Sequence, residues 1–351
     1  MNDRQRTILI LTPGFPKDEA DTTCLPLQQS LLRALREEFP EQKIVVLSFQ
    51  YPYHREDYTW HGIQVISMGG RNKGGFHRLF LWKRIRKRLK ELNRENHIIR
   101  VVSFWCGEAA LVGKRFADSE YISWYCWILG QDAKKDNHYV RRIKPAADEL
   151  IALSDFVADI FEGNHGLRPV HYLLPGVEEA LPNKPLPKKD IDIAGAGSLV
   201  PLKQYGIFIK IIAEIKNRIG NIRVVLAGDG PLRKNLQEMI DQWGLSDCIT
   251  LSGELPHDEV LSLMERSRLF LHTSNYEGFG VACIEALYAG CQVISFTRPM
   301  KDAIPNWHIV NSKEEMIYKA ISLLQTGNTR KRIVFNDSKN MARQFANILE
   351  I

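Results

Sequence analysis

The chain has 351 residues, 44% hydrophobic and 25% charged, which at roughly 150 residues per domain predicts about two domains with separate cores. This excludes a small disulfide scaffold and a disordered chain, and the longest apolar runs, such as residues 8–11, fall far short of the roughly 20 that cross a bilayer. The formal charge of +6 is too modest to imply a nucleic-acid partner, and none is expected.

The first six residues are polar and lead directly into a strand-like run, without the apolar segment of a secretory signal. Strands are predicted over residues 8–12, 43–49, 98–104, 121–127 and 149–153, with helices between most of them. A second series begins at Ile191 and continues with strands over 222–227, 248–252, 269–273 and 292–296. This alternation predicts an α/β fold with two doubly wound, mainly parallel sheets, each covered by helices on both faces. Residues 174–189 hold four prolines and read as a linker. The expected domains are therefore 1–175 and 176–330. Residues 312–351 read as two helices separated by Gly327-Asn328, the last of which, about 330–351, is expected to pack back on the first domain.

Residues 71–90 carry nine Lys or Arg and no Asp or Glu. Between 76 and 92, Phe76, Leu79, Trp82, Ile85 (or Arg86), Leu89 and Leu92 follow helical spacing, predicting an amphipathic helix whose apolar stripe, as most do, faces the core, with basic residues around the remainder. Such a basic face can lie on anionic lipid, with Lys83, Arg84, Lys87 and Arg88 as the contacts; the alternative is a solvated face. The six cysteines are scattered without a C-x-x-C pair and read as reduced thiols in a cytoplasmic chain, which the basic helix would hold peripherally on the inner face of the membrane. Asp190-Ile191-Asp192 mimics a metal-binding Asp-x-Asp but falls at the amino end of its strand, and no His/Cys cluster has zinc spacing. Neither a metal nor a cofactor is expected.

In parallel α/β sheets ligands bind beyond the carboxyl ends of the strands, and two facing sheets would form a cleft there. After the strand at 269–273 come Glu277-Gly278-Phe279-Gly280 and then a helix carrying Glu285. Glycines admit close backbone approach, and the helix N-terminus offers N–H groups and partial positive charge to a phosphate. Two carboxylates beside a phosphate make chemical sense when a sugar is present, because carboxylates accept charge-assisted hydrogen bonds from hydroxyls.

Glu277 and Glu285, eight positions apart, resemble the Glu-x7-Glu signature of family 4 retaining glycosyltransferases of GT-B fold. Gly197-Ser198-Leu199-Val200-Pro201-Leu202-Lys203 resembles that family's Gly-Arg-Leu-x-x-x-Lys loop, with Ser198 in place of the arginine. Ala227-Gly228-Asp229-Gly230-Pro231 is similar to its Gly-Asp-Gly-Pro turn, and Gly253-Glu254-Leu255-Pro256 to its nucleotide-base loop. The resemblance implies two Rossmann-like domains, the first on the acceptor side, the second binding a nucleotide-sugar. It implies that Lys203 contacts the donor diphosphate, Glu285 the ribose, and Glu277 with the backbone of Gly278, Phe279 and Gly280 the sugar. Gly197, Ser198, Gly228, Asp229, Gly253 and Leu255 complete the donor site. The family often has a histidine in the first domain; here the matching stretch is Ile128-Leu129-Gly130-Gln131-Asp132. Gln131 and Asp132 are candidates for its polar contact, or else for helix capping.

The implied reaction is retaining, metal-independent transfer from a nucleotide-diphosphate sugar to a hydroxyl of a carbohydrate or lipid-linked acceptor, as in polysaccharide or glycolipid synthesis. The alternative is a catalytically weak or inactive GT-B-like protein that binds nucleotide-sugars.

Overall fold

Ile8, Leu9, Ile10 and Leu11 are wholly buried, as a central strand covered on both faces requires. The structure, a computed structural model, describes residues 5–178, 185–326 and 331–351. Part of the proline-rich linker and the Gly327-Asn328 break lie outside the described residues. Two units are defined by their internal packing: Met1–Gly176 with Asn336–Ile351, and Val177–Phe335.

The strands of the first unit are β1 (Arg6–Gly14), β2 (Lys43–Tyr51), β3 (Arg55–Trp60), β4 (Ile63–Met68), β5 (His97–Phe104), β6 (Ser123–Ile128), β7 (Leu150–Ala152) and β8 (His171–Tyr172). They form one sheet in the order β3-β4-β2-β1-β5-β6-β7-β8. Its helices are α1 (Pro26–Glu38), α2 (Phe76–Glu95), α3 (Glu108–Glu120), α4 (His138–Ile143) and α5 (Asp155–His165).

All of this sheet is parallel except β3, which pairs antiparallel with β4. The sequence reading missed that hairpin. His61 and Gly62, with φ of 43° and 75°, make the two-residue turn, and positive φ at both positions suits the twist of paired strands. Exposed Arg55, Glu56 and Asp57 on β3 guard the sheet edge against further pairing. The strand expected from Tyr121 begins two residues later, because Tyr121 is a left-handed C-cap of α3 with φ 56° and is 98% exposed.

The helix α2 also differs from expectation. Its buried side chains are Leu81, Ile85, Leu89 and Leu92, whereas Phe76 and Leu79 face solvent. At about 100° per residue, Phe76 and Leu79 lie on the side opposite this buried stripe. Arg84 and Arg88 flank the buried stripe; Lys83 and Lys87 lie on the outer side.

The strands of the second unit are β9 (Ile191–Ala196), β10 (Val224–Ala227), β11 (Ile249–Gly253), β12 (Ser267–His272), β13 (Gln292–Ser295) and β14 (Trp307–Ile309). They run parallel in the order β11-β10-β9-β12-β13-β14. Around them are α6 (Tyr205–Ile219), α7 (Arg233–Gln242), α8 (His257–Glu265), α9 (Val281–Tyr288) and α10 (Lys313–Gln325). On α6, Phe208, Ile211, Ile212 and Ile215 are wholly buried against Val224, Leu226 and Ile240; each contributes about 1.5–3 kcal/mol by burial.

The chain then returns to the first unit as α11 (Ser338–Leu349), whose buried Met341, Ala342, Phe345, Ala346 and Leu349 form the face that packs on α1. Asp337 caps it by accepting from the Asn340 N–H at 2.7 Å. Arg343 reaches Glu38 on α1 at 2.6 Å.

Candidate functional site

The strands β11, β10, β9 and β12 are neighbours in the second sheet, and each of the four motif loops follows one of them. Parallel pairing therefore brings four segments distant in sequence to one sheet edge. The contact between them is backbone to backbone. A Cβ on Gly228 would stand 2.0 Å from the Gly197 carbonyl oxygen, closer than atoms can pack, and the φ of 140° at Gly228 is open only to glycine. The Gly228 N–H donates to the Gly253 carbonyl at 2.7 Å, drawing in the third loop.

Lys203 ends a short 3-10 turn, Pro201–Lys203. Its carbonyl accepts from the Thr273 hydroxyl at 2.8 Å, and the Leu202 carbonyl accepts from Asn275 N–H at 3.4 Å. These bonds fasten the turn to the loop after β12. Across this junction the Lys203 ammonium donates to Glu277 Oε1 at 2.6 Å. His272 Nε2 stands 3.5 Å from the same oxygen.

Burial opposes ionisation of Glu277, yet the His272 ring and the Lys203 charge outweigh it and bring the carboxyl down to about 2. Burial lowers the pKa of His272 against the pull of Glu277. Its Nδ1 is buried without a hydrogen-bond partner. Glu277 is therefore a half-buried ionised carboxylate, not a solvated loop residue. His272 was missed in the sequence because a lone histidine ending a strand carries no motif.

The helix α9 starts at Gly280, whose φ of 87° sets the entry angle. Phe279, expected among the donor contacts, has its side chain buried against Trp307 and Phe335, ring centroids 6.1 and 5.3 Å away. It anchors the loop and leaves only its backbone to the site. Glu285, in the second turn of α9, pairs with His257 Nε2 at 2.8 Å; His257 was also missed.

Ser198, Asp229 and Leu255 occupy the loops after β9, β10 and β11, and Ser198 and Asp229 are exposed. Arg233, not anticipated, places Nη1 3.8 Å from Asp229 and within 3.4 Å of where a Gly253 Cβ would lie. That Nη1 is buried without a hydrogen-bond partner. A cation thus reaches the loops where Ser198 provides none.

In the first unit, Gln131 and Asp132 lie in a 3-10 turn after β6. Gln131 is exposed. Asp132 is buried and accepts backbone N–H groups from Cys106 at 2.7 Å, Gly130 at 2.9 Å and Leu129 at 3.0 Å. These bonds commit its carboxylate to holding together the loops after β5 and β6; the cap position of the 3-10 turn is Gly130, which has no side-chain cap. Of the four expected lipid contacts, Arg88 is tied to Asp57, Glu91 and Glu95, and Arg84 is half-buried with Nη2 3.5 Å from the Met68 carbonyl. Only Lys83 and Lys87 are exposed. Asp190 pairs with Arg223 and Arg266 at the amino edge of β9, and Asp192 with Arg268. Among the described residues, no group of three or more His, Cys, Asp or Glu side chains could hold a metal ion, and no helix is long and apolar enough to cross a membrane.

Two Rossmann-like α/β units with this site at the carboxyl edge of the second sheet define a protein of GT-B fold. Residues 177–339 match the family model described as glycosyl transferases group 1. The solved structure of Anabaena Alr3699/HepE in complex with UDP and glucose shares the fold, with a TM-score of 0.70 at 16% identity over 99% of both chains. The chain is 24% identical over 320 residues to the putative glycosyltransferase EpsF of Bacillus subtilis, covering 84% of this chain and 80% of EpsF. It is 31% identical over 194 residues to a phosphatidylinositol N-acetylglucosaminyltransferase polypeptide of Arabidopsis thaliana, covering 52% of this chain and 43% of that protein. The chain thus spans less than half the length of that relative.

Proposed function

We propose that this protein is a retaining glycosyltransferase that moves a sugar from a nucleotide-diphosphate donor to a hydroxyl of a carbohydrate or lipid-linked acceptor. The observation that carries this reading is the Lys203–Glu277 ion pair beside the N-terminus of α9. It sets an ammonium, an ionised carboxylate and a helix dipole around one loop, as a sugar diphosphate requires. The names of the matched relatives, transferases of N-acetylglucosamine among them, and the UDP held by a protein of the same fold favour the same class of donor.

As the bond between the sugar and the diphosphate breaks, negative charge grows on the leaving phosphate. Lys203, Arg233 and the first turn of α9 stabilise it electrostatically, without a metal ion. Glu277 holds the Lys203 ammonium in place and accepts hydroxyls of the donor sugar, and Glu285 accepts those of the ribose. Retention follows if the acceptor attacks from the face the diphosphate leaves, a β-phosphate oxygen taking its proton.

The test is transfer by the purified protein from a panel of nucleotide-sugars in excess EDTA, with the anomeric configuration of the product read by NMR. A retained configuration without added metal is expected. Binding of the donor without transfer or donor hydrolysis would leave a nucleotide-sugar-binding protein. Loss of activity on chelation, restored by magnesium or manganese, would overturn the metal-free route.

A further inference from the structure

Three large apolar side chains of the first unit face solvent at the start of α2: Phe76 is 81% exposed, Leu79 59% and Phe80 65%. Their i, i+3, i+4 spacing sets them side by side. Next to them lies a hollow of about 300 Å3, lined by Tyr53 and Phe80 and by four cations, Arg55, Arg71, Lys73 and Arg84, with no Asp or Glu among the described residues of its lining. The Arg84 Nε is buried there without a hydrogen-bond partner. The Arg71 Nε is held by the Tyr53 carbonyl at 2.6 Å. His54, which also lines the hollow, engages the Glu56 carboxylate through Nε2 at 2.8 Å.

A free anion would use the cations and leave the apolar trio in water. A bilayer with acidic headgroups offers both halves at once, a plane of phosphates above an apolar depth, and amphipathic helices bind such surfaces by this combination. Lys83 and Lys87, on the same side of α2 as Phe76 and Phe80, extend the basic face along the helix.

We propose that this hollow and its apolar rim dock on an anionic lipid surface. Headgroup phosphates enter among Arg55, Arg71, Lys73 and Arg84, and Phe76, Leu79 and Phe80 insert beneath them. The contact differs from the one expected from sequence: Arg88 belongs to an intramolecular ion-pair cluster, and the apolar component comes from Phe76 and Leu79, expected on the core-facing stripe, together with Phe80, which that stripe left out. The docking surface is independent of the proposed transfer reaction, whose residues lie in the second unit.

The test is sedimentation of the whole protein with vesicles of phosphatidylcholine alone or mixed with phosphatidylglycerol, at low salt. The wild type is expected to bind the mixed vesicles and not the neutral ones. Arg55→Gln with Lys73→Gln should weaken binding about 25-fold, roughly fivefold for each basic residue. Phe76→Ser, Leu79→Ser and Phe80→Ser together should weaken it at least tenfold, with thermal unfolding and transfer to a soluble acceptor unchanged. Lys73→Gln alone serves if the charge pair disturbs folding, with about a fivefold loss. Absence of wild-type binding, wild-type affinity in the apolar triple variant, or displacement by inorganic phosphate beyond that by chloride of equal ionic strength would overturn the proposal.

Discussion

The Lys203 ammonium lies 2.6 Å from the Glu277 carboxylate although 74 positions of sequence separate them. Each residue therefore sets the other's chemistry. Replacing Glu277 by Gln keeps the shape of the loop but removes the counter-charge, and transfer should fall about 100-fold or more with the fold intact. Kinetics and circular dichroism check this together; activity within about twofold of wild type would remove Glu277 from the reaction. Lys203→Ala should weaken UDP binding about 10- to 100-fold, as expected for loss of a charged hydrogen bond. Calorimetry showing unchanged UDP affinity would take Lys203 off the diphosphate.

Glu285 and His257 permit a sharper test through the ligand. If Glu285 accepts the ribose hydroxyls, UDP should bind the wild type more tightly than 2′-deoxy-UDP, and Glu285→Ala should reduce or abolish that preference. A His257→Ala variant leaves the carboxylate without the partner it has at 2.8 Å, so it should retain part of the discrimination. An unaltered preference in Glu285→Ala would assign the ribose to other residues.

Acid should destabilise the second unit in a defined order. His272, lowered by burial, and His308, brought to about 4 by burial and the Lys319 charge, both favour the folded state above the unfolded histidine value near 6.5. That contribution is lost as pH falls below it. Glu277, held at about 2 instead of 4.5, adds roughly 3 kcal/mol above about pH 4.5, lost between there and pH 2. Urea midpoints measured against pH should therefore fall from about pH 6.5 downward, and the loss below about pH 4.5 should be smaller in Glu277→Gln. Equal slopes in the two proteins would show that Glu277 is not held ionised by its neighbours.

Gly228→Ala tests whether the loops need their close approach. The added Cβ would meet the Gly197 carbonyl oxygen at 2.0 Å, and the loops after β9 and β10 must then separate. UDP binding should fall at least tenfold and thermal unfolding should come earlier; a variant with both at wild-type levels would mean that the backbones can part without consequence.

Much of the site could be read from the chain because its parts are glycines and charged residues in short runs after apolar strands. The β12 loop, with Glu277, Gly280 and Glu285, is such a run. What stayed hidden depends on pairing in space. His272 and His257 are single residues whose meaning comes from a carboxylate on another segment. The interior side of α2 was misread because Phe76 and Leu79 fit a helical repeat with Trp82 and Leu89, and spacing alone does not say which stripe turns inward. The hairpin of β3 and β4 was legible only through His61-Gly62, a turn pair without the Asn-Gly or Asp-Gly signature, and β3 opens with three charged residues that do not read as a strand.

The packing of α11 on α1 has a consequence for the chain as it leaves the ribosome. The surface of α1 that receives Met341, Phe345 and Leu349 is made early, but its cover comes only after residues 177–335 have been synthesised, a delay of roughly 10–30 s at ordinary elongation rates. During that interval the nascent first unit has an apolar face waiting for a segment not yet translated, while the second unit, continuous in sequence, can already close its own core.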